Sequence, residues 1–263
     1  MKELFIIKVG GNVIDDPEKL NAFLKKFNAI KAHKILVHGG GKLATDLSAK
    51  LGIEAKMVEG KRITDAETLK IVTMVYAGII NKSIVAQLNT LGTNTLGVCG
   101  ADMHLIPAKK REVGAIDYGF VGDVLIEKIP VENWAALLNN NICPVVAPIT
   151  SDAAGQLLNT NADTIASSIA QALSKVYKVT LIYCFEKDGV LKDPNDEASV
   201  IPNIESQTYL SLKADGIISK GMIPKIDNSF DAIKKGVNKV IIGNALQVDK
   251  LLASTAGTHL SLT

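Results

Sequence analysis

The chain has 263 residues, with 29 basic and 27 acidic side chains and a formal net charge of +2. That length suits one α/β unit, which buries roughly 70–75% of the surface its unfolded chain exposes and needs no disulfide or metal staple. A hydrophobic content of 47% with 21% charged residues excludes intrinsic disorder, and the near-zero charge argues against a protein built for the nucleic-acid backbone. A single phosphorylated small ligand at a local site stays compatible with it.

Cys99, Cys143 and Cys184 are far apart and each lies in an apolar run, as reduced core thiols of a cytoplasmic protein do. No paired Cys/His spacing marks a metal site. The apolar run at the N-terminus ends at Lys8, too early for a secretory signal, and no charge-free run reaches the ~20 residues of a membrane span.

In chain order, Leu4 to Val9 reads as a strand. Asp16-Pro17 then offers an N-cap and a first-turn proline, followed by Leu20, Phe23, Leu24 and Phe27 at helical spacing. Lys34 to His38 is a second strand, leading through Gly39-Gly40-Gly41 into a helix from Lys42 to Leu51. A longer helix spans about Asp65 to Leu88, and Thr95 to Cys99 is a strand. Met103 to Ile129, with scattered glycines and the alternating stretch Phe120 to Ile126, reads as β-hairpins. Ile142 to Ile149 is a strand, Asn161 to Leu173 a helix, Val179 to Phe185 a strand, Lys220 to Lys235 a helix and Lys239 to Ile242 a strand. This alternation predicts one mainly parallel sheet covered by helices on both faces, with a seam near Pro148 to Leu158.

Two glycine turns follow strands: Lys8-Val9-Gly10-Gly11 and His38-Gly39-Gly40-Gly41. Each could be a plain strand-to-helix turn. Facing each other, they could instead hold an anion on backbone N–H groups, helped by the helix that starts after Gly41. No Walker A loop is present. Gly39, Gly41 and Ala44 do fit a relaxed dinucleotide fingerprint, with Glu59 as its ribose carboxylate.

The segment Asn159-Thr160-Asn161-Ala162-Asp163 puts two carboxamides on one side of an extended chain. Asp163 falls in the first turn of the next helix, where Thr160 and Asp163 could simply form a capping box. Arg62 and Arg111 are the only arginines. Arg62, before a helix N-cap, suits a bidentate grip on a carboxylate, whereas Arg111 in Lys-Lys-Arg-Glu reads as a solvated charge. Asp188-Gly189 signals a turn after a strand. Lys225, one residue after Pro224, puts an ammonium at a helix start, where a cation is unfavourable without an anionic partner. His38 ends a buried strand and reads as structural; His33, His104 and His259 carry no signal.

Taken together and in order, Lys8-x-Gly-Gly, His38-Gly-Gly-Gly, Gly60-x-Arg62, Asn159-x-Asn161-x-Asp163 and Gly221-Met-Ile-Pro-Lys225 resemble the amino acid kinase family, over essentially the whole chain. The spacing is similar to the branch whose enzymes phosphorylate the side-chain carboxylate of N-acetyl-L-glutamate with MgATP in arginine biosynthesis. The resemblance implies an open αβα sandwich with a mainly parallel central sheet, residues 1–263 forming one domain. Its N-terminal lobe, about 1–150, would bind the N-acylated glutamate and its C-terminal lobe, about 151–263, ATP.

By that match Lys8 and Lys225 stabilise the transferring phosphoryl group and Asp163 orients them. Gly11, Gly40, Gly41, Arg62, Asn159 and Asn161 bind substrate. Gly10, Glu186, Lys187, Asp188, Gly189, Val190, Leu191, Ile217, Ile218 and Ser219 lie at the nucleotide. The cofactors implied are ATP and Mg²⁺, with no metal bound by protein ligands alone and no nucleic-acid or membrane partner. Glu186 stands where the family usually has Asp. A first strand starting almost at Met1 leaves no room for the extra N-terminal helix of arginine-inhibited hexameric relatives, so an arginine-insensitive homodimer is expected. A carboxylate nucleophile is already ionised at neutral pH, so a missing catalytic histidine agrees with this chemistry. N-succinyl-L-glutamate as substrate, another amino acid kinase, a nicotinamide-dependent oxidoreductase and a nucleotide sensor are the alternatives.

Overall fold

The computed structural model describes residues 1–58, 60–218 and 222–263. Its centre is an eight-stranded sheet. In chain order the strands are β1 (Glu3–Val9), β2 (His33–His38), β3 (Thr95–Val98), β4 (Cys143–Val146), β5 (Lys178–Phe185), β6 (Asn203–Glu205), β7 (Lys239–Asn244) and β8 (Thr258–Ser261). Across the sheet they run β6-β8-β7-β5-β1-β2-β4-β3. Every pairing is parallel except β7 with β8, so β6 and β8 are reversed relative to the other six.

β1 is the hinge of this order. It pairs with β2 on one side and with β5, from the C-terminal half, on the other. Strand order turns back on either side of β1, and the crevice at the carboxyl ends of such strands is where open α/β sheets bind ligands. Lys8 and Gly10-Gly11 are at that end.

Alternation along β1 divides the two cores. Leu4 and Ile6 face one layer, with Trp134, Ile165, Ile169, Ile226 and Phe230; Ile7 and Val9 face the other, with Phe23, Leu24, Phe27, Val72 and Ile84. Lys8 shares the parity of Leu4 and Ile6, so it points to the helix carrying Ile165. Fully burying a side chain of phenylalanine size is worth about 1.5–3 kcal/mol. Phe23, Leu24 and Phe27, each 0% exposed, therefore anchor the helix Pro17–Asn28 firmly to the sheet. Asp16 caps its first amides as the sequence predicts. At its other end Lys34, from β2, donates to the carbonyls of Phe27, Asn28 and Ile30 at 2.9, 3.1 and 2.9 Å. Burial lowers the pKa of that lysine, and three carbonyl acceptors offset the cost of its charge.

Several predicted elements change in detail. Ile142 to Ile149 splits at Pro148: Cys143–Val146 stays in the main sheet, while Ile149–Ser151 pairs with Leu157–Asn159 in a separate hairpin. Of the region read as hairpins, Ala108–Lys110 and Gly122–Val124 pair with each other; beyond it, Val131–Asn139 is a helix, unassigned in the sequence reading, with Trp134, Leu137 and Leu138 buried. Ser206–Ala214 and Val248–Leu252 are further helices absent from the sequence reading. The long helix runs Ala66–Thr90, with π-type hydrogen bonding over Met74–Ile80. By length and composition alone it could cross a membrane, but its Val72, Val75, Ile80, Ile84 and Leu88 sit in the core of this fold. The predicted helix Lys220 to Lys235 is observed as Ile223–Lys234. Lys220 itself, and Gly221 of the Gly221-to-Lys225 motif, lie outside the described residues.

Candidate active site

A cleft of about 670 Å³ opens at the carboxyl ends of β1 and β2. Lys8, Gly11, Gly40, Gly41, Arg62, Asn159, Asn161, Asp163 and Lys225, widely separated in the chain, all line it.

Asp163 is its electrostatic centre. The helix Ala162–Leu173 begins with Asn161, whose side chain accepts from the Asp163 and Thr164 amides at 2.8 and 3.1 Å. Asn161, not Thr160, is thus the N-cap, which corrects the capping-box reading. Thr160 points inward to Thr150 Oγ1 at 2.8 Å. With the cap supplied by Asn161, the Asp163 carboxylate is free for other partners. Lys8 Nζ lies 2.7 Å from its Oδ1, an ion pair without hydrogen-bond alignment, and Lys225 contacts Oδ2. Burial by itself would raise this carboxyl, but the two ammonium groups outweigh it and hold it down at about 2. Lys225 is lowered by burial first and by Lys8 second, with Asp163 opposing both. Its ammonium also stands 5.9 Å over the Tyr183 ring, next to Lys8 in the sheet. Two cations and one anion leave a net positive site, suited to an anionic ligand.

The glycine turns do face one another. A Cβ on Gly11 would stand 3.8 Å from the Gly40 nitrogen and 3.9 Å from the Gly41 nitrogen. Gly40 has φ +140°, a backbone conformation that demands glycine, and a Cβ there would meet the terminal methyl of Ile80. The first amides of the helix Gly41–Lys50 lack intrahelical partners and are directed at this opening.

Arg62 reaches the cleft from the two-residue strand Lys61–Arg62, which pairs with Met57–Val58. It is 8% exposed, and its Nη2 donates to Gly41 O at 3.0 Å and Thr45 Oγ1 at 2.7 Å. Its Nη1 is buried with no partner in the protein. An unpaired buried donor costs about 1–3 kcal/mol, and a ligand carboxylate would satisfy it. Asn159 is carried alongside: its Nδ2 donates to Thr64 Oγ1 at 3.0 Å, while its backbone nitrogen donates to Phe120 O and the Phe120 nitrogen to Thr64 O. Three loops are stitched together in this way to form one wall.

Arg111 is a correction. Predicted to be solvated, it lines the cleft, where Nε and Nη2 donate to Asp123 Oδ1 at 3.0 and 2.6 Å. Its guanidinium lies 5.7 Å from the Tyr118 ring, with Lys61 at 5.8 Å from the same ring. Tyr76 also lines the cleft, close to Arg62; burial raises its hydroxyl pKa against the pull of that arginine. The sequence offers no local signal for Arg111, Tyr118 or Tyr76, since each reaches the site through long-range pairing.

The remaining sequence candidates lie elsewhere. Gly10 donates its amide to Cys184 O at 3.0 Å and is not a cleft wall. Glu186 accepts from Asn12 Nδ2, and Lys187 pairs with Glu197 at 2.7 Å. Asp188 Oδ1 accepts from Asn244 Nδ2 at 2.8 Å and Gln247 Nε2 at 3.1 Å. Gly189 packs on Thr258 and Val200, the Val190 amide donates to Thr258 Oγ1, and Leu191 bridges to Val200. Ile218 is buried, and Ile217 lines a second hollow of about 540 Å³ with Lys192, Asp193 and Ser199. Ser219, and the Glu59 of the dinucleotide alternative, lie outside the described residues.

Known proteins agree with this geometry. The acetylglutamate kinase of Cytophaga hutchinsonii is 56% identical over 263 residues, covering 99% of each chain. That of Phocaeicola vulgatus is 55% identical over 251 residues, covering 95% of this chain and 97% of the relative. Among solved structures, smu.665 from Streptococcus mutans aligns over the full length of both chains with TM-score 0.82 at 26% identity. Carbamate kinase from Giardia lamblia bound to AMP-PNP shares the fold at TM-score 0.69 and 15% identity, over 98% of each chain. The model of the amino acid kinase family matches residues 3–244, which sets aside the dinucleotide-dehydrogenase alternative. With the glycine turns, both lysines and Asp163 gathered at the mouth of its parallel sheet, this chain belongs to the amino acid kinase family.

Proposed function

We propose that the protein transfers the γ-phosphoryl group of ATP to the side-chain carboxylate of N-acetyl-L-glutamate, giving N-acetyl-L-glutamyl 5-phosphate and ADP, a step of arginine biosynthesis. The observation that carries this reading is Asp163 held between Lys8 and Lys225, opposite two glycine turns. A carboxylate oxygen bonds to the γ-phosphorus as the bond to the β,γ-bridging oxygen breaks, and no proton has to move. The difficulty is charge. Lys8 and Lys225 lie where they neutralise the equatorial oxygens, Asp163 fixes their separation, and the Gly11, Gly40 and Gly41 amides hold the oxygens in place.

Arg62 takes the α-carboxylate on its unpartnered Nη1, and Asn159 and Asn161 take the neighbouring polar groups. The N-terminal lobe, about 1–150, then holds the amino acid and the C-terminal lobe, about 151–263, the nucleotide, with Gly10, residues 186–191, Ile217, Ile218 and Ser219 around it. No group of three His, Cys, Asp or Glu side chains able to hold a metal occurs among the described residues, and Asp163 is committed to two lysines. Mg²⁺ would enter with the triphosphate, whose charge it would offset. A cytoplasmic homodimer fits a biosynthetic enzyme that exposes Met74 (54%) and Ile79 (60%) on its longest helix.

One observation favours a second acyl group. Arg111 and Lys61, both near the Tyr118 ring, add cationic wall beyond Arg62 and would suit the extra carboxylate of N-succinyl-L-glutamate.

Arg62→Ala tests the carboxylate site. It is expected to raise KM for the acylated amino acid about 100-fold, with KM for ATP within about threefold. Steady-state kinetics with each substrate varied in turn measure both. Equal changes in the two KM values, or none, would place the α-carboxylate elsewhere.

A further inference from the structure

One buried imidazole has no part in the chemistry above. His38 ends β2, is 0% exposed and stands directly before Gly39-Gly40-Gly41. Its protonation follows from its neighbours. The Val145 carbonyl can only accept, so the Asn81 atom 2.9 Å from it is the amide nitrogen Nδ2. Lys82 Nζ can only donate; it lies 3.1 Å from Asn81 Oδ1 and 3.0 Å from Gly97 O, which fixes the amide the same way round. Asn81 Nδ2 is also 3.2 Å from His38 Nε2, so that ring nitrogen accepts and carries no proton. The proton is then on Nδ1, 2.9 Å from the Gly39 carbonyl, another pure acceptor. Each assignment forces the next, from β4 through the long helix to the first residue of the glycine turn.

We propose that His38, locked by Asn81 as the Nδ1–H tautomer, is a positioning residue: its hydrogen bond to the Gly39 carbonyl sets the Gly39–Gly40 peptide plane, which presents the Gly40 amide to the cleft. Its effect on rate rests on the kinase reading; its tautomer does not.

Two further features of the structure support the link. A Cβ on Gly97 would come within 2.0 Å of Asn81 Oδ1 and 2.8 Å of Lys82 Nζ, so β3 keeps a glycine where the carboxamide needs room. Ile80, the residue before Asn81, fills the space at Gly40. Consecutive residues of one helix therefore pack on the middle of the turn and bond to the residue just before it. Burial pushes the imidazole pKa down to about 4, against the opposing Gly39 hydrogen bond and with Lys82 as its charged neighbour. The ring stays neutral at physiological pH.

Nitrogen-15 NMR of the imidazole in the unmodified protein tests the tautomer. A protonated Nδ1 and bare Nε2, unchanged from about pH 5.5 to about pH 8, is expected. A proton on Nε2, or titration within that range, overturns the proposal. In parallel, His38→Leu removes both hydrogen bonds and is expected to lower kcat about 100-fold in a protein shown to be folded by thermal melting. His38→Asn, whose short amide restores a donor near the Nδ1 position, should recover about tenfold of that loss. A folded leucine variant within about threefold of the parent kcat, or leucine and asparagine variants equally slow, would contradict the positioning role. If the leucine variant does not fold, the tautomer measurement decides. A parent protein with no activity on N-acetyl-L-glutamate would sink the kinase reading and leave the tautomer result standing.

Discussion

Lys225→Ala is expected to lower kcat by about 10²–10³-fold, the loss typical when one preorganised donor to transition-state charge is removed. KM for N-acetyl-L-glutamate should move far less, because Arg62 and Asn159 hold the substrate from the other wall. Lys225 is brought into the cleft by Pro224 in the first turn of the helix Ile223–Lys234, and its ammonium is held there by Asp163 and the Tyr183 ring. Three-quarters of its side chain is shielded from solvent, the exposed part being 24%. An ammonium at that depth interacts with developing phosphoryl charge through less water than a surface lysine would. A kcat within about threefold of the parent would mean that the transferring group passes elsewhere.

Asp163→Asn should act on both stability and the pH profile. In the folded protein the carboxyl is held at about 2, below its ordinary 3.8. The depressed carboxyl contributes its full stability above about pH 4 and loses it as pH falls toward 2, an amount of about 2 kcal/mol. The asparagine variant lacks this contribution, so its unfolding free energy should be lower at neutral pH and should lose less on acidification than the parent's. Denaturant melts between pH 3 and 7 would show both. Lys225 feels the opposite effect. Burial and Lys8 already lower Lys225, and only Asp163 opposes them. Without the carboxylate, Lys225 gives up its proton more readily, and the alkaline limb of kcat should shift to lower pH. A variant as active as the parent with an unmoved alkaline limb would contradict the ion-pair account.

Much of the fold was legible because β1, β2 and β5 are short, apolar and alternate with strongly periodic helices. The Leu20, Phe23, Leu24, Phe27 stripe, the Asp16-Pro17 start and the two glycine turns are all found as read. Failures came where local pattern is faint. Ser206–Ala214 buries only Tyr209, so it has no apolar stripe to see. Val131–Asn139 does carry one at Trp134, Leu137 and Leu138, but it is short and lay unassigned between the stretch read as hairpins, which ends at Ile129, and the strand from Ile142. At Pro148 a continuous apolar run hid a change of sheet, because hydrophobicity reports burial and not which partner strand is paired.

The site shows the same division. Lys8, Arg62, Asn159, Asn161, Asp163 and Lys225 were recognisable from motif spacing, and all line one cleft. Which residue caps the helix was not recognisable, since Thr160 and Asn161 are equally able caps and only their tertiary partners decide. Nor was the inward turn of Arg111, which depends on Asp123 across a short hairpin.

In the proposed transfer a carboxylate is the acceptor. Incubating the protein with MgATP and N-acetyl-L-glutamate, then trapping with hydroxylamine, tests this, because an acyl phosphate yields a hydroxamate and other phosphoryl esters do not. Hydroxamate is expected in step with ADP release, dependent on both substrates, with N-succinyl-L-glutamate assayed alongside to rank the acyl groups by kcat/KM. A folded, ATP-binding protein that forms no hydroxamate from either substrate would contradict it.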